Sequence, residues 1–283
     1  MAIFGLWQLI LSALILGVLV GFTIPYFQDR IGRLFILFLG AALLWVTGFI
    51  FEITQDSLAG KVLFVRLQFI GLSLLPVLWL LLTLEYVRVR LPRVVTLFLF
   101  LIPAVTQVLV WFIPPPNLFW VHPGLTGTIG RYMMIDYDYG PWFYYVHTPY
   151  TYLLILVTAV FYVRAFLLYH RGYRKPIIYL LVAVALPLGA DVLYNLGFSP
   201  FDPINPSPLA MGVSGLIIGF VLVQYRFFKI LPIARSAIVE TMDEGIIVLD
   251  EKHTIIDINR AVLTFFPQCD FEIGRAMEAC ERH

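Results

Sequence analysis

Along residues 1–228, long apolar runs alternate with short polar breaks. A membrane-spanning helix takes about 20 predominantly apolar residues. On that measure the pattern predicts seven spans, at Phe4–Ile24, Leu34–Phe51, Val62–Tyr86, Val94–Ile113, Val146–Tyr169, Ile177–Phe198 and Pro208–Phe228. The first has no basic residues before it and is too long an apolar stretch for a cleaved signal peptide, so it reads as a span. Pro25, Pro176 and Pro208 fall at predicted helix edges. Pro76, Pro103 and Pro187 fall inside, which membrane helices tolerate when neighbours satisfy the freed carbonyls. The longest break, Pro114–Tyr145, opens on three prolines and holds nine aromatic residues. It reads either as an interfacial aromatic belt on a folded-back loop or as a lid over a ligand site.

Beyond Phe228 the pattern changes. Leu231, Ala234, Ile238 and Met242 form a short a/d-like stripe, which predicts a linker helix over 229–242. Gly245–Leu249 and Thr254–Ile258 read as two strands of a hairpin around the turn Asp250-Glu251-Lys252-His253. Asn259 is placed to N-cap a helix over Arg260–Phe266.

Composition narrows the class. The 283 residues are 60% hydrophobic and 13% charged, with a mean hydropathy of +0.89. Soluble domains carry about twice that charge. A cytosolic enzyme and a disordered chain are thereby excluded, and an integral membrane protein remains. The net charge of +1 hides an asymmetry: residues 1–235 carry a balance of +7 and residues 236–283 one of −6. This places a boundary near Arg235. Cys269 and Cys280 form no CxxC pair, so neither a disulfide framework nor a zinc site is indicated.

Charge placement then predicts orientation. Arg30, Arg33, Arg88, Arg90, Arg93, Arg164, Arg171, Arg174, Lys175, Arg226, Lys229 and Arg235 fall on one side, against Lys61, Arg66 and Arg131 on the other. The basic side is cytoplasmic by the positive-inside rule. The N-terminus is then outside and the C-terminus in the cytoplasm, with reduced cysteines.

Ionisable residues within spans are functional candidates because burying them is costly. They are Glu52, Arg66, Glu85 and Asp191. Glu85 reaches the inner interface and reads as structural. The other three share a depth near the outer end, and Asn195 lies one turn from Asp191 with Tyr194 beside it. Two readings of the cluster Glu52, Arg66, Asp191 and Asn195 stay open: Arg66 pairs with Glu52 or Asp191 to staple helices, or the group lines a pocket for a small signal molecule. No cofactor is legible: retinal would need a lysine inside the last span, which has none before Lys229. His122, His147, His170, His253 and His283 form no H-x-x-x-H pair, and no P-loop, G-x-S-x-G or kinase signature occurs, so neither a metal site nor a catalytic residue is assigned.

Two resemblances follow. Glu240 to Asp250 with Asp257-Ile258-Asn259-Arg260-Ala261 resembles the start of a PAS sensory domain, over residues 243–283 and short of a complete fold. Most of residues 40–262 looks like the seven-helix N-terminal region of sensor histidine kinases. The matching pieces, in order, are Trp45 with Glu52, Arg66-Leu67-Gln68-Phe69, Gly71, Pro76, Trp79, Tyr86, Asn117-Leu118-Phe119-Trp120, Pro187-Leu188-Gly189, Pro206-Ser207-Pro208-Leu209-Ala210 and Leu231-Pro232-Ile233-Ala234-Arg235. Where that family often has Asp and Thr, this chain has Asn205 and Ser207.

The expected fold is therefore an all-α seven-helix membrane bundle over 1–228 with a partial α+β PAS segment at 243–283. The resemblance implies a signalling module that passes a signal through Leu231, Pro232 and Arg235 to a downstream kinase or diguanylate cyclase. The expected partners are the lipid bilayer and a small-molecule signal of unknown identity, without nucleic acid, and the expected state is a monomer or weak dimer. A transporter or channel is the alternative, disfavoured by the lack of an internal repeat and of an ionisable chain through the midplane. A membrane enzyme ranks third.

Overall fold

The computed structural model describes residues 2–129, 132–168, 171–198, 205–224, 242–249, 253, 255–266, 269 and 271. The chain divides into two compact units, residues 1–228 and 229–283. The first holds α1 (Ala2–Thr23), α2 (Arg30–Thr54), α3 (Leu58–Tyr86), α4 (Arg93–Leu99), α5 (Leu101–Trp111), α6 (Thr148–Leu168), α7 (Arg171–Asn195) and α8 (Ser207–Gln224). Among the described residues, six helices are long and apolar enough to cross a membrane, counting Arg93–Trp111 as one. The last apolar helix, α8, spans 18 residues, and the end of the predicted seventh run, 225–228, lies outside the described residues.

Several predicted edges move. α2 and α3 each start four residues earlier than their apolar runs: α2 opens on Arg30, and the N-cap Ser57, whose Oγ accepts from the Gly60 amide, sets the start of α3. α7 starts at Arg171, so Pro176 is inside the helix rather than at its edge. The predicted fourth span is two helices that meet at Phe100. Pro103 has no N–H to give the carbonyl of Leu99, four residues back. The Tyr150 hydroxyl of α6 donates to that carbonyl instead, at 2.5 Å. A neighbouring helix thus satisfies a group that lipid could not.

α3 is the central helix. Its residues Leu75–Leu84 are buried without interruption, as expected of a helix that is apolar on every face. α2, α5 and α6 pack on it, and α1, α8 and α7 complete a circuit from α2 back to α6. Small residues allow the closest approaches. A Cβ on Gly71 of α3 would lie 2.3 Å from the Ala41 carbonyl oxygen of α2, and one on Gly212 of α8 would lie 2.0 Å from the Ser12 hydroxyl of α1. Outside the core, Trp7, Leu11, Leu14, Val18 and Phe22 form one exposed apolar stripe on α1, suited to lipid.

Pro114–Tyr145, expected as an aromatic belt on a folded-back loop or as a lid, contains regular structure. It holds an antiparallel pair, β1 (Trp120–Ile129) and β2 (Tyr132–Tyr139), so the first unit is not all-α. Asn117 anchors the pair. Its Oδ1 accepts from the Phe119 and Trp120 amides at 2.7 and 2.8 Å, while its Nδ2 donates to the Leu109 and Ile113 carbonyls at the end of α5. One side chain therefore caps a helix and starts a strand. Trp120 and Phe119 are buried with Val65, Phe69, Leu109 and Val110, which ties the hairpin to α3 and α5.

In the second unit, β3 (Ile247–Leu249) pairs antiparallel with β4 (Ile255–Ile258), and α9 (Arg260–Phe265) follows. Asn259 is the N-cap, as predicted: its Oδ1 accepts from the Val262 amide, and also from Ile246. Its Nδ2 donates to the Glu244 carbonyl. Residues 229–241 of the predicted linker, including Leu231, Pro232 and Arg235, lie outside the described residues.

Candidate functional site

The alternation of helices brings the ends of α2, α5 and α7 and the starts of α3, α6 and α8 to the end that carries the β1–β2 hairpin. Glu52, Arg66, Asp191 and Asn195 all lie there, in three separate settings.

Glu52 is buried in the last turn of α2. Its Oε2 accepts a hydrogen bond from the Gln68 amide of α3 at 2.6 Å. Lys61 is 1% exposed, and its ammonium donates to the Glu52 and Ile53 carbonyls at 2.8 and 3.4 Å. The last carbonyls of a helix lack intrahelical donors and carry partial negative charge, which a lysine satisfies on both counts. Lys61 and Gln68 are seven residues apart, two turns, and so face α2 together.

Arg66 is elsewhere. Five residues from Lys61 it sits about 140° around α3, on the side of α5 and the hairpin. Its guanidinium carbon lies 5.9 Å from the ring centres of both Trp111 and Trp120. Its Nε is buried without a hydrogen-bond partner. The ion pair expected between Arg66 and Glu52 or Asp191 is not formed, because helix rotation turns Arg66 away from the α2 interface. Among the described residues the ion pair is at the opposite end of the bundle, where Arg30 Nε meets Glu85 Oε2 at 3.0 Å. That places Glu85 in the structural role read from the sequence.

Asp191 is the third setting. Its Oδ2 accepts from the Tyr152 hydroxyl of α6 at 2.9 Å and from Asn195 Nδ2 at 3.0 Å, and its Oδ1 accepts from Asn205 Nδ2 at 3.2 Å. Asn205 Oδ1 in turn accepts from the Ser207 amide and hydroxyl at 2.9 and 2.6 Å, at the first turn of α8. One carboxylate thus holds α6, α7 and the start of α8 together through neutral donors.

Glu52 and Asp191 still share surroundings. The Tyr139 phenol at the end of β2 is pushed above its ordinary pKa, first by burial and then by the charges of Glu52 and Asp191 and the nearby Tyr194 and Tyr144 phenols. Tyr139 stacks on Phe143 with ring centres 3.8 Å apart. Phe143 follows β2 and opens the short π-helical turn that leads into α6. The predicted cluster is therefore two separate hydrogen-bonded groups, one at Glu52 and one at Asp191, plus Arg66 in an aromatic setting.

The sequence reading passed over Lys61, Gln68 and Tyr152 as partners. Lys61 and Gln68 carry a local signal, since a two-turn spacing of polar residues at the start of an apolar helix marks one face. Tyr152 carries none: it meets Asp191 across 39 positions through tertiary packing alone.

No curated protein matches the chain. The family model for the N-terminal 7TM region of histidine kinase matches residues 8–232, which includes α2 to α8, most of α1 and all three polar settings. A multi-pass membrane unit with this match belongs to the family of N-terminal 7TM regions of histidine kinases.

Proposed function

We propose that the bundle detects a signal at its hairpin end and passes it through α8 to a cytoplasmic effector. The observation that carries this reading is the Asp191 group. It links Tyr152 of α6 and Asn195 of α7 to Asn205 and Ser207, where α8 begins. α8 leads toward the linker with Leu231, Pro232 and Arg235. A ligand that binds one packing of this group better than another shifts the equilibrium between them, and the shift is limited to its differential affinity. The chain crosses the bilayer with the N-terminus outside and the C-terminus in the cytoplasm, supported by the side-to-side imbalance of Lys and Arg.

The hairpin and capped helix of the second unit support the PAS reading; the signal is a small molecule and the effector a kinase, in keeping with the family match. A diguanylate cyclase is the second effector class. The test joins the chain to the dimerisation and ATP-binding domains of a histidine kinase and measures autophosphorylation in membranes. Asn205→Asp should change basal output several-fold. Unchanged output from a variant that folds normally would remove α8 as the route. Selective solute or ion flux in proteoliposomes would favour a transporter instead.

A further inference from the structure

The setting of Arg66 is incomplete as a purely structural one. A guanidinium is costly to place within a membrane protein unless charge or hydrogen bonds compensate it. Here the compensation comes from two indole faces, Trp111 and Trp120. No carboxylate among the described residues lies within ion-pair distance, since Glu52 is engaged by Gln68 and Asp191 by Tyr152, Asn195 and Asn205. Arg66 is half-buried rather than sealed. A second observation points the same way. Trp120 is 1% exposed, and its indole N–H is buried without an acceptor, as is Arg66 Nε. Two orphan donors, one of them charged, thus occur on side chains in direct contact.

We infer that Arg66, with Trp111 and Trp120, is a recognition site for an oxyanion attached to a flat or apolar body. The guanidinium fork suits a carboxylate or phosphate bidentately. The indole walls exclude water and strengthen that attraction. Val65, Leu109 and Phe119, packed in the same cluster as Trp120, are buried and apolar, so they bring no competing charge beside the guanidinium. A water molecule would satisfy one N–H but would bring no negative charge to the cation. Arg66 lies about 12 Å along α3 from Leu58 and faces α5 and the hairpin, so the anion enters between these elements. It comes either from a free carboxylate or from a lipid phosphate. This inference rests on the sensor reading and gives the chemical class of its signal.

The full chain in phosphatidylcholine nanodiscs, titrated with benzoate, tests it by calorimetry and by tryptophan fluorescence. Benzoate should bind saturably, and the neutral isostere benzamide should not. Arg66→Gln should weaken benzoate at least tenfold, and Arg66→Lys, which keeps the charge but loses the fork, several-fold. Arg33→Gln, an exposed arginine at the opposite end, should leave binding unchanged. If phosphatidylglycerol nanodiscs perturb the tryptophans and block benzoate in an Arg66-dependent way, the site stands with a lipid phosphate as its occupant. No saturable response to benzoate or to phosphatidylglycerol overturns the inference, as does benzoate binding of equal strength in folded Arg66→Lys. Neither result touches the kinase-output test, so the sensor reading fails or survives separately.

Discussion

Asp191 and Asn205 offer a swap whose outcome the geometry dictates. Asn205 uses its Oδ1 for the Ser207 amide and hydroxyl, so its Nδ2 must be the group facing Asp191. Asp191→Asn keeps an oxygen for Tyr152 and Asn195 but turns an amide donor toward the Asn205 donor. Asn205 cannot rotate its amide to help without breaking both Ser207 bonds. Asn205→Asp alone sets a second carboxylate against Asp191. The double exchange restores donor against acceptor and keeps an acceptor for Ser207.

The magnitude follows from the lost bond. A side-chain hydrogen bond between membrane helices contributes about 0.6 kcal/mol on average and up to roughly 1.7. An unpaired buried donor adds about 1–3 kcal/mol, less where solvent reaches it. Asp191 and Asn205 are both half-buried. Each single variant should therefore lose about 1–2 kcal/mol, and the double should recover to within roughly 0.5 kcal/mol of the parent. For a protein of this size, a loss of that order lowers Tm by about 2–8 °C. The assay is thermal unfolding in detergent at a fixed scan rate, since membrane proteins often unfold irreversibly. If the double variant loses the sum of the two singles, the pair is not coupled and the linkage of α7 to α8 is wrong.

Three further outcomes follow. Gly71→Val should destabilise by about 1–3 kcal/mol or prevent folding, because the new Cβ meets the backbone oxygen of Ala41, whereas Gly40→Ala, with open space around it, should stay within about 0.5 kcal/mol on the same assay. Lys61→Met should cost about 1–3 kcal/mol, since it removes the ammonium from the Glu52 and Ile53 carbonyls and leaves the first with the Gln55 amide; an unchanged Tm would show that water replaces it. A cysteine at the exposed position of His122 should react with an impermeant thiol reagent in intact cells while Cys269 does not, and the reverse pattern would invert the topology.

Much of the bundle is legible in the sequence because a bilayer requires about 20 apolar residues per span and internal satisfaction of every backbone group. That is why the helical runs, their order and the N-cap at Asn259 can be read locally. The polar candidates could be named on the same ground, since Glu52, Arg66 and Asp191 interrupt apolar runs. Their partners could not. Whether Arg66 meets Glu52 or two indoles depends on the rotation of α3, and tight packing at Gly71 against α2 sets that rotation. Tyr152 reaches Asp191 only because α6 and α7 pack side by side. The β1–β2 hairpin was hidden for a related reason: its aromatic residues fit a membrane interface as well as a strand, and Asn117 organises it through carbonyls that α5 leaves free. The sequence alone determines which segments enter the membrane and which residues are costly to put there. Only the tertiary structure decides what offsets that cost, because a side chain's partner is set by helix rotation and packing, which residue spacing does not encode.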